Sequence, residues 1–418
     1  MKIKSSYILS IIVFILNIVL SQLFYSANNS FVLSTVLIII DIISIGLIFY
    51  TKTKDKKIYF IIFTSLIIRT LLMYFELYGR NIFVLPNSGA DTEAFYLLSQ
   101  SRNFSEVSGY YLFVKILSIL FKNQRLLFQF INVIFSIIVD LIILKILNLL
   151  KIKEKTKIFA FSLLCFLPSN MIISVELLRE ELMILLNTIS LYYLINWYVK
   201  NKNYYFVISV VFILLSSYFH SSMIVAILAY FIIYILYNRK KEKLIINKKS
   251  FLYLCIVLLV SFIIYKFIFP YVSGYFESIS DLESINKKMS YYVDGGSGYL
   301  QNLAYNTSYL SLIMTSPIKF IYFFASPMPW DWRGINDILT FIFSSLFYIY
   351  TYISFIKCRS KNVLIKSLFL IITIVGFTYG MSCFSAGSAM RHREKVFTYA
   401  ILLIAYVKSK KESGQNEV

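Results

Sequence analysis

This sequence is poor in charge. Only 15% of its 418 residues are Asp, Glu, Lys or Arg, while 59% are hydrophobic, and the mean hydropathy is +0.73. A soluble domain carries roughly 25% charged residues, so a chain this poor in charge cannot face water over its whole surface. Cysteine is scarce as well. Cys165, Cys255 and Cys383 fall in apolar stretches and Cys358 in a basic loop, with no spacing that suggests a disulfide framework or a zinc site. A Walker loop, a dinucleotide fingerprint and a serine nucleophile elbow are all missing from the sequence. A bond-forming reaction here therefore has to draw on a substrate that arrives already activated. Internal repeats and low-complexity tracts are absent too.

What the chain has instead is apolar runs, recurring from end to end and each near the 20 residues that cross a hydrocarbon core of roughly 30 Å. Lipid offers no partner to backbone N–H and C=O groups, so runs of this kind must be helices. We read twelve spans, at about 7–26, 31–50, 58–78, 126–149, 158–174, 181–199, 204–219, 222–238, 250–270, 337–356, 363–382 and 395–408. The run after Met1-Lys2-Ile3-Lys4 is long and followed by further spans, so it reads as a retained first helix and not as a cleaved leader. The expected fold is an all-α integral membrane protein, with residues 1–418 forming a single polytopic domain.

The net charge of +20 would suggest nucleic acid as the partner of a soluble protein. Here most Lys and Arg sit in short loops between spans, which makes them topology signals. Placing the N-terminus in the cytoplasm puts 1–6, 51–57, 150–157, 200–203, 239–249, 357–362 and 408–418 on the inside, and these short segments hold most of the basic residues. An even number of spans returns the C-terminus to the cytoplasm. Two long segments remain on the extracytoplasmic side, 79–125 and 271–336. Within them, 110–122 and 309–325 are apolar but short, and read as interfacial or re-entrant helices. Asp294-Gly295-Gly296-Ser297-Gly298 marks a turn in the second.

Ionisable groups at or inside a bilayer are functional candidates by default, and here they collect on the outer side. Asp91 either caps a helix or accepts the proton of an attacking hydroxyl. Glu176, Arg179, Glu180 and Glu181 lie where the fifth span turns into the sixth; they form a local ion-pair network, or Arg179 offers its forked guanidinium to a phosphate. His220, in the tight Tyr218-to-Met223 turn, is a polar turn residue or a proton carrier, since imidazole titrates at about 6.5 when unperturbed. Arg391-His392-Arg393-Glu394-Lys395 runs against the charge bias of the loops. Read as the start of the last span, it would place basic residues at a positive helix end, an anion site. Asp41, Arg69, Asp140, Lys145 and Lys266 fall within or near spans, and Arg69 calls for a span carboxylate that the sequence alone does not single out.

The His220-Ser221-Ser222 turn, the Arg179-Glu180-Glu181 segment after Leu177-Leu178, the late Arg391-His392-Arg393 and the general layout resemble Wzy-type O-antigen and capsular polysaccharide polymerases. The Asp91 loop and Ser326-to-Trp332 resemble membrane glycosyltransferases of the GT-C class. These resemblances imply a glycosyltransferase in the bacterial cytoplasmic (inner) membrane, needing no cofactor. It would join undecaprenyl-pyrophosphate-linked donor and acceptor glycans on the extracytoplasmic face, in contact with membrane lipid and a chain-length regulator protein. Arg179, Arg391, His392 and Arg393 would bind pyrophosphate, and His220, Asp91 or Glu180 would take the acceptor proton. Nucleic acid is not an expected partner. The alternatives are another polyprenyl-phosphate-dependent GT-C glycosyltransferase, or a flippase or transporter of lipid-linked sugars. A transporter would ordinarily show two similar halves.

Overall fold

The apolar runs that fall on described residues become helices for the reason that predicts them: backbone groups inside lipid pair within the segment or not at all. The computed structural model describes residues 2–52, 55–100, 109–253, 255, 282–283, 286, 298–300, 303, 308–358 and 362–412. Most of the expected span 250–270, Lys266, most of segment 271–307 and all but the last residue of the Asp294–Gly298 turn lie outside the described residues.

The elements, in chain order, are α1 (Lys2–Phe24), α2 (Ser30–Lys52), α3 (Lys56–Tyr78), α4 (Ala90–Ser99), α5 (Tyr110–Leu120), α6 (Arg125–Leu149), α7 (Glu154–Phe166), α8 (Pro168–Val175), α9 (Glu180–Lys200), α10 (Asn203–Phe219) and α11 (Val225–Leu236). There follow the strands β1 (Tyr237–Asn238) and β2 (Lys243–Leu244), then α12 (Tyr309–Ala325), α13 (Ile335–Thr340), α14 (Leu346–Ile356), α15 (Val363–Gly380), α16 (Ala386–Glu394) and α17 (Phe397–Glu412). A π-helical turn at Phe341–Ser345 joins α13 to α14. Among the described residues 6 helices are long and apolar enough to cross a membrane, and up to 7 if the bent pair α7–α8 is one span. Shorter apolar helices include Tyr110–Leu120, Asn203–Phe219 and Leu310–Ala325.

One expected span is broken. The segment read as 158–174 bends by 45° between α7 and α8. Leu167 precedes Pro168 and is extended, with φ −65° and ψ 120°, because a proline ring drives its predecessor out of the α region. Pro168 itself then occupies the first turn of α8, where its missing N–H costs nothing.

By contact density the chain divides into two units, Met1–Ile142 with Phe161–Leu185, and Ile143–Ala160 with Leu186–Val418. Apolar association gains little in lipid, so polar links and small residues must hold such helices together. In the first unit Arg69 of α3 meets Asp140 of α6 at 2.7 Å, both side chains fully buried. Asn17 donates to Asp41 at 2.7 Å, and Asn132 donates to the carbonyls of Glu176 and Leu178. In the second unit Ser190, Tyr230 and Tyr399 form a buried hydroxyl chain linking α9, α11 and α17. Gly376 and Gly380, four apart on α15, let α12 approach closely. A Cβ at Gly376 would lie 2.2 Å from the Phe324 ring, and one at Gly380 would lie 3.1 Å from the Phe320 Cα.

Candidate functional site

The sequence candidates divide between the two units. In the first, Glu76 lies in the last turn of α3 and the turn after the helix brings Arg80, four residues on, back onto its carboxylate. Arg80 also pairs with Glu93 of α4, and Glu93 pairs in turn with Arg125 at the start of α6, at 2.6 Å. The buried Glu76 carboxylate also accepts from Ser88 at 2.7 Å and from Gln129 at 2.6 Å. The Arg125 hydrogen bond, with Arg80 adding to it, holds the Glu93 carboxyl below the usual glutamate range despite partial desolvation.

This network fixes α4 and therefore Asp91. Asp91 is exposed in the first turn of α4 and is not its cap. The capping position belongs to Gly89, at φ 143°, where a side chain would be strained. Asp91 instead adds a negative charge near the positive helix end.

The turn from α8 to α9 carries the other first-unit candidates. Glu176, Glu180 and Glu181 are all fully buried. Arg179 remains partly exposed, with its Nε 3.9 Å from Glu180 Oε1. Of these residues, then, Arg179 is the one that meets solvent, and Glu180 is a buried carboxylate.

In the second unit the chain's two histidines meet. His220 is extended at the C-terminal end of α10, and its ring centroid lies 5.1 Å from that of His392. Tyr379, in the last turn of α15, stacks on His392 at 4.7 Å, and its hydroxyl lies 3.3 Å from His220 Nδ1. Lys395 Nζ is 2.6 Å from His392 Nδ1 and 4.7 Å from the centre of the Tyr379 ring. A lysine ammonium can only donate, so facing one leaves His392 Nδ1 as acceptor and puts the ring proton on Nε2. Lys395 and Tyr379 are buried, whereas both imidazoles keep some exposure. Asn187 of α9 donates to the Lys395 carbonyl at 3.2 Å, which pins the segment between α16 and α17. Arg391, half-buried, and Lys395 both act electrostatically on Cys383 in the α15–α16 connection. Lys319, buried in α12, lies 5.3 Å above the Phe384 ring of the same connection. Basic groups thus gather around residues 383–395.

Two expectations need correcting. The Arg391–Lys395 run does not open the last span. It closes α16, which Ser385 caps by accepting from Ser388 N at 3.3 Å, and α17 begins only at Phe397. Basic residues in a last turn are favoured by the negative helix end, and the run sits between that end of α16 and the start of α17 at Phe397. Nor is Arg393 available to a pyrophosphate. It is fully buried, and Nη1 donates to Phe324 O at 2.8 Å, Ser326 O at 2.9 Å and Ser345 Oγ at 3.0 Å. Arg393 ties α16 to the end of α12.

Sequence reasoning missed the Glu76–Arg80–Glu93–Arg125 network, of which only the Glu76–Arg80 spacing was legible. It also missed Tyr379, which nothing distinguishes among 34 tyrosines. Among the described residues no group of three or more His, Cys, Asp or Glu could hold a metal ion.

Replacing Glu93 with Gln should free α4 while leaving the spans folded. Hydrogen exchange across Ala90–Ser99 is expected to quicken by up to roughly fivefold, the worth of partly exposed ion pairs. Because the folded carboxyl titrates below its ordinary range, its contribution is present above that range and lost as pH falls through it. Acidification of the unaltered protein below the glutamate range should therefore lower the protection of α4, measured against the intrinsic exchange rate at each pH, to that of the variant. Unchanged exchange in Glu93→Gln would show that α4 is held by something else.

Together these features define an α-helical multi-pass membrane protein whose second unit carries a histidine–tyrosine–lysine cluster. No family model matches the chain, and no curated protein or solved structure matches it either.

Proposed function

We propose that the chain is a Wzy-type glycan polymerase, a GT-C-like glycosyltransferase acting on undecaprenyl-pyrophosphate-linked repeat units at the extracytoplasmic face of the bacterial cytoplasmic membrane. In this reading it has twelve spans and both termini in the cytoplasm. The observation that carries it is the meeting of His220 and His392 around Tyr379 and Lys395, beside Arg391. Two partly exposed imidazoles beside a buried ammonium suit proton transfer next to an anion.

The acceptor hydroxyl oxygen attacks the anomeric carbon of the donor, and the new C–O bond forms as the bond from that carbon to the pyrophosphate oxygen breaks. The pyrophosphate leaves with the bonding electron pair. His220 takes the hydroxyl proton. His392 Nε2–H, Lys395 and Arg391 stabilise the negative charge that builds on the leaving group.

Deleting the gene and running the surface polysaccharide on a gel tests this directly. The expected result is loss of the ladder with single repeat units still present, and restoration by the intact gene. Loss of every exported repeat would point to translocation instead, and an unchanged ladder would overturn the proposal.

A further inference from the structure

The 239–249 segment holds six basic residues and a single acid, Glu242. It is an ordered piece of structure. β1 and β2 pair antiparallel, Tyr237 with Leu244 and Asn238 with Lys243. Asn238 Oδ1 accepts from Lys241 N at 3.1 Å, and Glu242 makes the turn at φ 47°. Arg239 anchors the hairpin: its guanidinium lies 4.8 Å over the Trp197 ring and donates to the Trp197 and Tyr198 carbonyls, satisfying the end of α9. With Arg239 turned inward, Lys240, Lys241, Lys243, Lys248 and Lys249 all remain exposed. Ile246 sits among them, 73% exposed, and the next residues, Phe251, Leu252 and Tyr253, are exposed and apolar.

Keeping a loop in the cytoplasm requires positive charge but no fixed geometry. Here one basic residue is spent on holding the hairpin rigid, and the other five are displayed around an exposed isoleucine at the end of an apolar helix. Lysine clusters directly beside a span attract anionic lipid headgroups, and an exposed aliphatic side chain between them adds contact with the acyl boundary. We infer that Tyr237–Leu244 together with Lys248 and Lys249 is a docking site for anionic phospholipid headgroups of the cytoplasmic leaflet. The site rests on the multi-pass reading and is independent of the proposed polymerase activity.

The test uses the full chain in nanodiscs of phosphatidylcholine with and without phosphatidylglycerol, with retained lipid counted by native mass spectrometry. Phosphatidylglycerol should be enriched around the protein. The Lys240→Gln/Lys241→Gln/Lys243→Gln variant should retain it about tenfold less well, since each lysine near an anionic surface contributes measurably to attraction. These lysines are exposed, and Arg239 keeps its anchor, so the hairpin survives the change. Lys56→Gln/Lys57→Gln, at the start of α3, serves as a comparison and should retain phosphatidylglycerol normally. Equal retention by the hairpin variant, or equal loss in the α3 variant, would overturn the site. Inorganic phosphate should not displace the lipid; full displacement would show a phosphate site and overturn the lipid assignment.

Discussion

Chains carrying His220→Ala or His392→Ala are expected to reach the membrane in normal amount and to yield no polymer ladder, with turnover down by at least about 100-fold, the usual range for a lost proton-transfer group in the first case and a lost charge-stabilising donor in the second. The contacts make the pattern specific. His220, Tyr379, His392 and Lys395 touch one another directly, and residues that act as a unit give strongly non-additive losses. The double histidine variant should therefore be little worse than either single one. Tyr379→Phe keeps the ring stacked on His392 and removes only the hydroxyl facing His220, so its loss should be roughly fivefold, the net worth of one hydrogen bond. Lys395→Met should behave like His392→Ala, because it removes the group at His392 Nδ1. Repeat units should accumulate in each severe variant. A normal ladder in either histidine variant, with protein present, would remove the cluster from the mechanism.

The helices of this chain were legible because lipid leaves the backbone so few alternatives. Where an expected span falls on described residues, a helix lies there, but the bend at Pro168 between α7 and α8 was not foreseen in a run read as one span. The misreading at Arg391–Lys395 has an equally physical cause. α16 is built from Ala, Gly, Ser, Met and charged residues, so it carries no apolar periodicity that would announce a helix ahead of the basic run. The site was half legible. Two histidines in a chain this apolar stand out, but their meeting depends on how α10, α15 and α16 pack, and nothing local to His220 or His392 encodes it. Arg393 shows the converse. Its neighbours in sequence look like an anion site, while its guanidinium is committed to carbonyls from α12, more than sixty residues upstream.

The largest stability effect is expected at Arg69, a span residue for which a carboxylate partner was one reading and whose partner, Asp140, the sequence did not single out. The pair is closed at 2.7 Å with no exposed side-chain surface on either partner. Truncating one member of such a pair strands the other charge in a medium that cannot solvate it, at a cost of about 3–5 kcal/mol, against a typical domain stability of roughly 5–15 kcal/mol. The two single substitutions should not be equal. Arg69 also acts electrostatically on Glu181, so Arg69→Met removes a cation from two carboxylates, whereas Asp140→Leu leaves the guanidinium with one of them. Thermal melting of the detergent-solubilised protein should accordingly rank Arg69→Met below Asp140→Leu. Arg69→Met/Asp140→Leu should recover much of the loss, because replacing both partners of a buried pair with apolar groups is often neutral or better. If the double variant melts as early as Arg69→Met, the link to Glu181 outweighs the pair itself. If it melts normally but yields no ladder, the pair serves the reaction and not the packing.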